Sequence, residues 1–167
     1  LGLDVAQAAA YLKDFGSLPG RGQRLKLRLP DGRGIYTLID DSYSGQPESM
    51  KLAIENLSRV QACPGRKIAV LGKMAELGAA SREKHIEIGQ AADAADVDIV
   101  IGVCPEMKDM LAQLDAGREQ YYFENKEGLD EFLLNNLLQN NDIVLIKGAR
   151  YSSKLYQVTE NLVEKGK

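Results

Sequence analysis

The chain has 167 residues, 44% of them hydrophobic and 27% charged, with a net charge of −3. This is one ordinary domain, with at most a remnant of another, and it is long enough to bury a core. No apolar run reaches the roughly 18 residues a membrane helix needs, no signal-peptide pattern opens the chain, and the negative charge argues against a nucleic-acid partner.

Leu1 stands where a start methionine would, so the sequence reads as a piece of a longer protein. Residues 4–15 carry Val5, Ala8, Ala9 and Leu12 at helical spacing behind an Asp4 cap. A Gly16-Ser17-Leu18-Pro19-Gly20 break follows. A helix and linker over 1–19 are therefore expected to feed a domain over 20–167. Residues 24–29 alternate leucine with Lys26 and Arg28, the pattern of a half-exposed edge strand. Pro30-Asp31-Gly32 turns the chain into a second strand over 35–39, completing a hairpin.

From there the pattern alternates. Helices are predicted over 47–62, 80–95, 105–114, 127–138 and 152–164, and short apolar strands over 67–71, 97–103, 120–123 and 142–146. Pro47 suits a first helical position, and Pro64-Gly65 is read as the stop of that helix. Near-continuous apolar strands between helices specify burial on both faces. The predicted fold is α/β and Rossmann-like: a mostly parallel sheet flanked by helices, doubly wound, with the hairpin at its edge.

Binding sites in such sheets lie at the carboxyl ends of strands, and polar clusters stand there. Asp40-Asp41 precede Ser42-Tyr43-Ser44-Gly45-Gln46-Pro47. The paired carboxylates suit ribose hydroxyls or a cation, or else form an ordinary capped turn. Gly72-Lys73 follows another strand; Lys73 is either an anion contact or a solvated loop lysine. Gly102-Val103-Cys104-Pro105 requires no chemistry, and Cys104 reads as a small buried residue. Lys147-Gly148-Ala149-Arg150 brings two cations to a bend before a helix, a receptor for an anion or carboxylate. His85, the single histidine, shares a stripe with Ile88 and Ala92 and reads as packed against the sheet. Cys63 and Cys104 make neither a disulfide framework nor a metal site and read as cytosolic thiols. No phosphate loop of the G-x-x-x-x-G-K-[ST] type is present.

Read together, several of these segments resemble one family. The run Asp40-Asp41-Ser42-Tyr43, then Pro47, Ser49 and Met50, then Gly65-Arg66, Ala69-Val70-Leu71-Gly72, Met74 and Glu76-Leu77-Gly78 resembles the C-terminal domain of the Mur ligases. Pro19-Gly20-Arg21, His85 and Lys147-Gly148-x-Arg150 fall where that family has them. The resemblance runs over essentially the whole chain. It is strongest to the branch that joins D-alanyl-D-alanine to UDP-N-acetylmuramoyl-tripeptide in peptidoglycan synthesis.

The resemblance implies a three-domain, ATP- and Mg2+-dependent amide ligase of the bacterial cytoplasm. Its N-terminal domain takes the UDP-sugar peptide, and its central domain carries the phosphate loop and metal ligands. The third domain closes over ATP and the incoming dipeptide, holds no metal or catalytic residue of its own, and is expected to bind no cofactor firmly when isolated. By the same resemblance Arg21, Asp40, Asp41, Tyr43, Gln46 and Pro47 face the nucleotide, and Lys73, Lys147, Ala149 and Arg150 lie near the acceptor dipeptide. Asp41, taken to sit at an open strand end, is expected to be removable with little loss of stability. The chain departs from the family pattern in Ser44-Gly45-Gln46 for Asn-Ala-Asn, Lys73 for Asp, Ala149 for Ser and Leu155-Tyr156 for Met-Glu. Without the resemblance, a stand-alone nucleotide- or anion-binding module, or a related ligase with another acceptor, fits the same strand ends.

Overall fold

A computed structural model of the chain describes residues 18–61 and 64–167. The helix expected over 4–15, Ala62 and Cys63 lie outside the described residues.

The leucine alternation produces strand β1 (Gln23–Arg28), with Arg24, Lys26 and Arg28 outward and Leu27 buried. A 3₁₀ turn over Pro30–Gly32, with Asp31 and Gly32 at φ 58° and 70°, reverses the chain into β2 (Ile35–Asp41). The two strands pair antiparallel. Then follow α1 (Pro47–Ser58), β3 (Lys67–Gly72), α2 (Ser81–Ala94), β4 (Ile99–Val103), α3 (Met107–Leu111), β5 (Glu119–Phe123), α4 (Leu129–Phe132), β6 (Ile143–Lys147), α5 (Arg150–Ser153) and α6 (Leu155–Lys165). The strands stand in the order β1-β2-β6-β3-β4-β5, parallel from β2 onward.

This order follows from the handedness of the crossovers. The chain steps outward from β2 to β3, β4 and β5, then returns to insert β6 between β2 and β3. Right-handed connections put outward and returning helices on opposite faces. On one face Met50, Ile54 and Leu57 of α1, Ile88 and Ala92 of α2, and Met107 and Met110 of α3 pack on Ala69, Leu71, Val100 and Leu145. On the other, Leu129 and Leu133 with Leu155, Val158 and Leu162 of α6 pack on Leu38, Ile68, Val70, Ile99, Val144 and Ile146. Each central strand is therefore apolar on both sides, as the sequence predicts.

Several boundaries differ from the predicted ones. Helix α1 stops at Ser58, short of Pro64: the Arg59 N–H still donates to the Glu55 carbonyl at 3.1 Å, but the Val60 N–H turns to the Leu57 carbonyl at 3.1 Å, an i+3 bond that closes the last turn. The segment predicted as a helix over 105–114 contains only a short α3. Helix α4 passes into a π turn over Leu133–Leu137, closed by the Leu138 N–H donating to the Leu133 carbonyl at 2.8 Å. The wider turn brings Leu133, Leu134, Leu137 and Leu138 all inside. The single helix predicted at the C-terminus is two, because Lys154 takes a left-handed φ of 54° between α5 and α6.

The amino-terminal end of the sheet is held by one carboxylate. Asp142, 1% exposed, accepts from the backbone N–H of Arg66 at 2.9 Å, from the Arg66 guanidinium at 2.7 Å and from the Gln139 N–H at 2.8 Å. The pairing holds the Arg66 guanidinium above its ordinary range, through the hydrogen bond first and against the desolvation cost. Replacing Asp142 by alanine leaves two backbone donors and a guanidinium without their acceptor. Asp142→Ala is expected to lower unfolding free energy by about 3 kcal/mol, measured by urea denaturation.

Candidate functional site

The loop after β2 leads to α1 on one face, the loop after β6 leads to α5 and α6 on the other, and the loop after β3 returns to the first. Strands β2, β6 and β3 are neighbours, so their following loops diverge and open a crevice at the carboxyl edge, the switch point of a doubly wound sheet. The crevice holds about 510 Å³ and is lined by Tyr43, Ser44, Gly45 and Gln46, by Lys73, Ala75 and Glu76, and by Ala149, Arg150, Tyr151 and Ser152.

The three loops are bonded into one rim. The Arg150 N–H donates to the Tyr43 carbonyl at 3.2 Å and the Ala149 N–H to the Lys73 carbonyl at 3.1 Å. Two glycines permit this approach: a Cβ on Gly45 would lie 2.4 Å from the Ala149 nitrogen, and one on Gly72 2.6 Å from the Ser153 Cβ. No side chain fits at either place.

Asp40 and Asp41 belong to β2 itself and not to the loop, so strand alternation sends them to opposite faces. The adjacent carboxylates read as a pair in sequence do not act as one. Asp40, 7% exposed, accepts from the Gly20 N–H at 3.0 Å and from the Ser42 hydroxyl at 2.6 Å, tying the linker to the rim. Asp41 stands beside Lys147 in the parallel β2–β6 register. Its carboxylate receives the Lys147 ammonium at 2.7 Å, and the same ammonium donates to the Ser44 carbonyl at 2.9 Å. The Lys147 side chain is 1% exposed. Removing Asp41 would leave a buried cation with one partner lost, so the expectation that Asp41 is structurally dispensable does not hold.

Above this floor lies a stack of cations and rings. The Arg21 guanidinium sits 4.0 Å from the Tyr43 ring centre, and Arg150 sits 4.0 Å from Tyr156 and 5.9 Å from Tyr43. Among the described residues neither guanidinium has a carboxylate partner. Gln46 precedes α1 with no side-chain cap bond, as glutamine's poor capping predicts, and Pro47 takes the buried first position of that helix.

Lys73 lines the crevice, but its ammonium is bonded to Glu106 of the loop after β4. Desolvation pushes the Glu106 carboxyl up, and the Lys73 hydrogen bond and charge outweigh it, leaving the group below its ordinary range. The unusual lysine is thus answered by a carboxylate inside the chain. Cys104 is buried at φ 88°, and burial raises its thiol above the ordinary value against a hydrogen bond from the Lys73 backbone. It is no nucleophile in this state. His85, fully buried, accepts from the Met74 N–H at 3.2 Å through Nε2 and lies 2.7 Å from the Ser81 carbonyl through Nδ1. It clamps the loop after β3 to α2, the structural role read from its stripe.

Five of the residues singled out from sequence, Tyr43, Gln46, Lys73, Ala149 and Arg150, line the crevice, and Arg21 joins them through Tyr43. Asp40, Asp41, Pro47 and Lys147 lie beneath it as supports. Sequence reasoning gave Glu76 no site role and passed over Glu106, Tyr151 and the stacking role of Tyr156. Glu106 stands just past a strand end dismissed as chemically silent, and a strand-end carboxylate was the signal available.

Because the folded-state Glu106 carboxyl titrates below its unfolded value, its contribution is complete above the ordinary glutamate range and disappears as pH falls through the folded-state value. The wild-type chain is expected to exceed Glu106→Gln by about 1 kcal/mol or less at neutral pH. The difference should close on acidification, followed by chemical denaturation at several pH values.

The family profile described as "Mur ligase, glutamate ligase domain" matches residues 20–150. The UDP-N-acetylmuramoyl-tripeptide--D-alanyl-D-alanine ligase of Buchnera aphidicola is 36% identical over 131 residues, covering 78% of this chain and 27% of that protein. The Escherichia coli ligase of the same name is 30% identical over 167 residues, covering 99% of this chain and 34% of that protein. The chain therefore spans about a third of the length of the relatives it matches. A crystal structure of the MurF ligase from Thermotoga maritima in complex with ADP superposes with a TM-score of 0.70 at 26% identity, over 91% of this chain and 32% of that one. A MurF structure from Acinetobacter baumannii, at 23% identity, shares the fold with a TM-score of 0.77 over 98% of this chain and 34% of that one. With its doubly wound sheet, its switch-point crevice and a family profile covering most of its length, the chain belongs to the Mur ligase family.

Proposed function

We propose that the chain works as the C-terminal domain of an ATP-dependent amide ligase that joins D-alanyl-D-alanine to UDP-N-acetylmuramoyl-tripeptide. In this reading residues 1–19 lead in from a central domain and 20–167 form the closing domain. The observation that carries it is the crevice: two guanidiniums with no carboxylate partner among the described residues and an exposed Tyr43, in a member of this family. Unpaired arginines beside aromatic faces suit phosphate and carboxylate groups.

Arg21, Tyr43 and Gln46 then face the nucleotide, with Asp41 available through its exposed fraction and Asp40 and Pro47 setting the backbone. Ala149 and Arg150 face the acceptor, Lys147 holds their loop against the rim, and Lys73 contributes as part of its pair with Glu106. In this reading ATP passes its γ-phosphoryl group to the substrate carboxylate, releasing ADP, and the dipeptide amine attacks the acyl-phosphate carbon, expelling inorganic phosphate as the amide bond forms. Among the described residues no group of three or more His, Cys, Asp or Glu is placed to hold a metal. The reading assigns Mg2+ to the central domain, as it does the phosphate loop. No helix among the described residues is long and apolar enough to cross a membrane, and the reading places the enzyme in the bacterial cytoplasm.

The isolated chain is expected to show no ligation with ATP, UDP-N-acetylmuramoyl-tripeptide and D-alanyl-D-alanine, and to support it when joined covalently to phosphate-loop and UDP-sugar domains of the family. Turnover by the isolated chain, or none in the joined protein, would overturn the reading. In the joined enzyme Arg150→Ala should raise KM for the dipeptide about tenfold or more, the scale of a lost charge-assisted hydrogen bond, and a change confined to the KM for ATP would overturn its acceptor role. Steady-state kinetics with each substrate varied in turn separates the two.

A further inference from the structure

The roles just assigned divide Arg21 from Arg150, one to the nucleotide and one to the acceptor, yet the two side chains meet on the same ring. Tyr43 carries Arg21 at 4.0 Å and Arg150 at 5.9 Å, and Arg150 rests in turn on Tyr156 at 4.0 Å. The arginines come from segments about 130 residues apart in sequence, and nothing local to either brings them together.

We propose that Tyr43 and Tyr156 are positioning residues that hold Arg21 and Arg150 as one two-pronged receptor for a phosphate group at the mouth of the crevice. A guanidinium against an aromatic face is attracted by the ring quadrupole and loses rotamer freedom before any ligand arrives. Its N–H edge stays available, because the ring occupies the face and not the donors. Among the described residues no carboxylate neutralises either cation. Two neighbouring cations repel, so an anion of more than one charge that bridges them gains from both. The tether is backbone as well as side chain: the Tyr43 N–H donates to the Gly20 carbonyl at 3.0 Å and its carbonyl accepts from Arg150 at 3.2 Å. Tyr43 is thus bonded to the residue before Arg21 and to Arg150 itself, and one ring sets the spacing of both prongs. The choice of phosphate over carboxylate rests on the ligase reading, in which the transferred phosphoryl group is what lies between nucleotide and acceptor.

The test uses this 167-residue chain with inorganic pyrophosphate as the probe, following the arginine Nε–H signals by NMR at low salt. The signals of Arg21 and Arg150 are expected to move together along one isotherm. Tyr43→Phe, which keeps the ring, should hold the affinity within about twofold, and Tyr43→Leu should weaken it fivefold or more. Tyr156→Leu should weaken it similarly and blunt the Arg150 response first. Tyr43 is 43% exposed, so these variants are expected to fold, which thermal unfolding checks. Movement of only one arginine, two unrelated isotherms, no response, or equal affinity for Tyr43→Phe and Tyr43→Leu would overturn the receptor. Joint binding of pyrophosphate alongside a joined protein with no ATP-dependent turnover would leave the receptor standing and remove the ligase reading. A working joined enzyme whose isolated domain shows no joint response would remove the receptor alone.

Discussion

A buried ammonium ties the carboxyl edge of the sheet together. Lys147 ends the strand that the chain inserts last, between β2 and β3, and it carries a positive charge into a site 1% exposed to solvent. Such a charge is tolerated only where it is answered. Asp41 on the adjacent strand and the Ser44 carbonyl in the loop beyond answer it, at 2.7 Å and 2.9 Å. One ion pair thereby joins two strands that are more than a hundred residues apart and fixes where the loop after β2 begins. The crevice has its shape because that loop cannot drift.

On this floor the rim is assembled by close backbone approach, and the cations above it are held by aromatic faces. The three arrangements of positive charge around the crevice differ in kind. Lys147 is buried and paired, Lys73 is half-buried and paired with Glu106, and Arg21 and Arg150 lie against aromatic rings with no carboxylate partner among the described residues. Only the last kind leaves donors for a ligand. A count of basic residues near the strand ends gives four candidates for anion binding; their partners reduce the immediate candidates to two. At the opposite end of the sheet Asp142 spends its acceptors on Arg66 and Gln139.

Much of the architecture was legible along the chain. Apolar strands alternating with helices require a parallel sheet covered on both sides, and leucines alternating with Lys26 and Arg28 require an edge hairpin. The strand ends named the loops that line the crevice. What local pattern did not convey was partnership. Asp40 and Asp41 look like a carboxylate pair in a linear reading, but one step of the pleat sends them to opposite faces. Lys73 looks like a free cation until the loop after β4 brings Glu106 to it. Helix ends also differ from the periodic pattern, at Ser58, where an i+3 bond from Val60 closes the last turn, and at Lys154, where a left-handed residue splits the helix.

The sequence by itself determined the fold class, the family and the loops at the mouth of the site, because these depend on periodicity, on glycines at fixed places and on motifs in order. Only the tertiary structure decided which charges are spent and which are available. That depends on the register of β2 against β6, on the loops after β3 and β4, and on Tyr43 meeting both Arg21 and Arg150, which are far apart in the described chain. A charge is defined chemically by its partner, and Lys147 and Lys73 find theirs, Asp41 and Glu106, in distant parts of the chain.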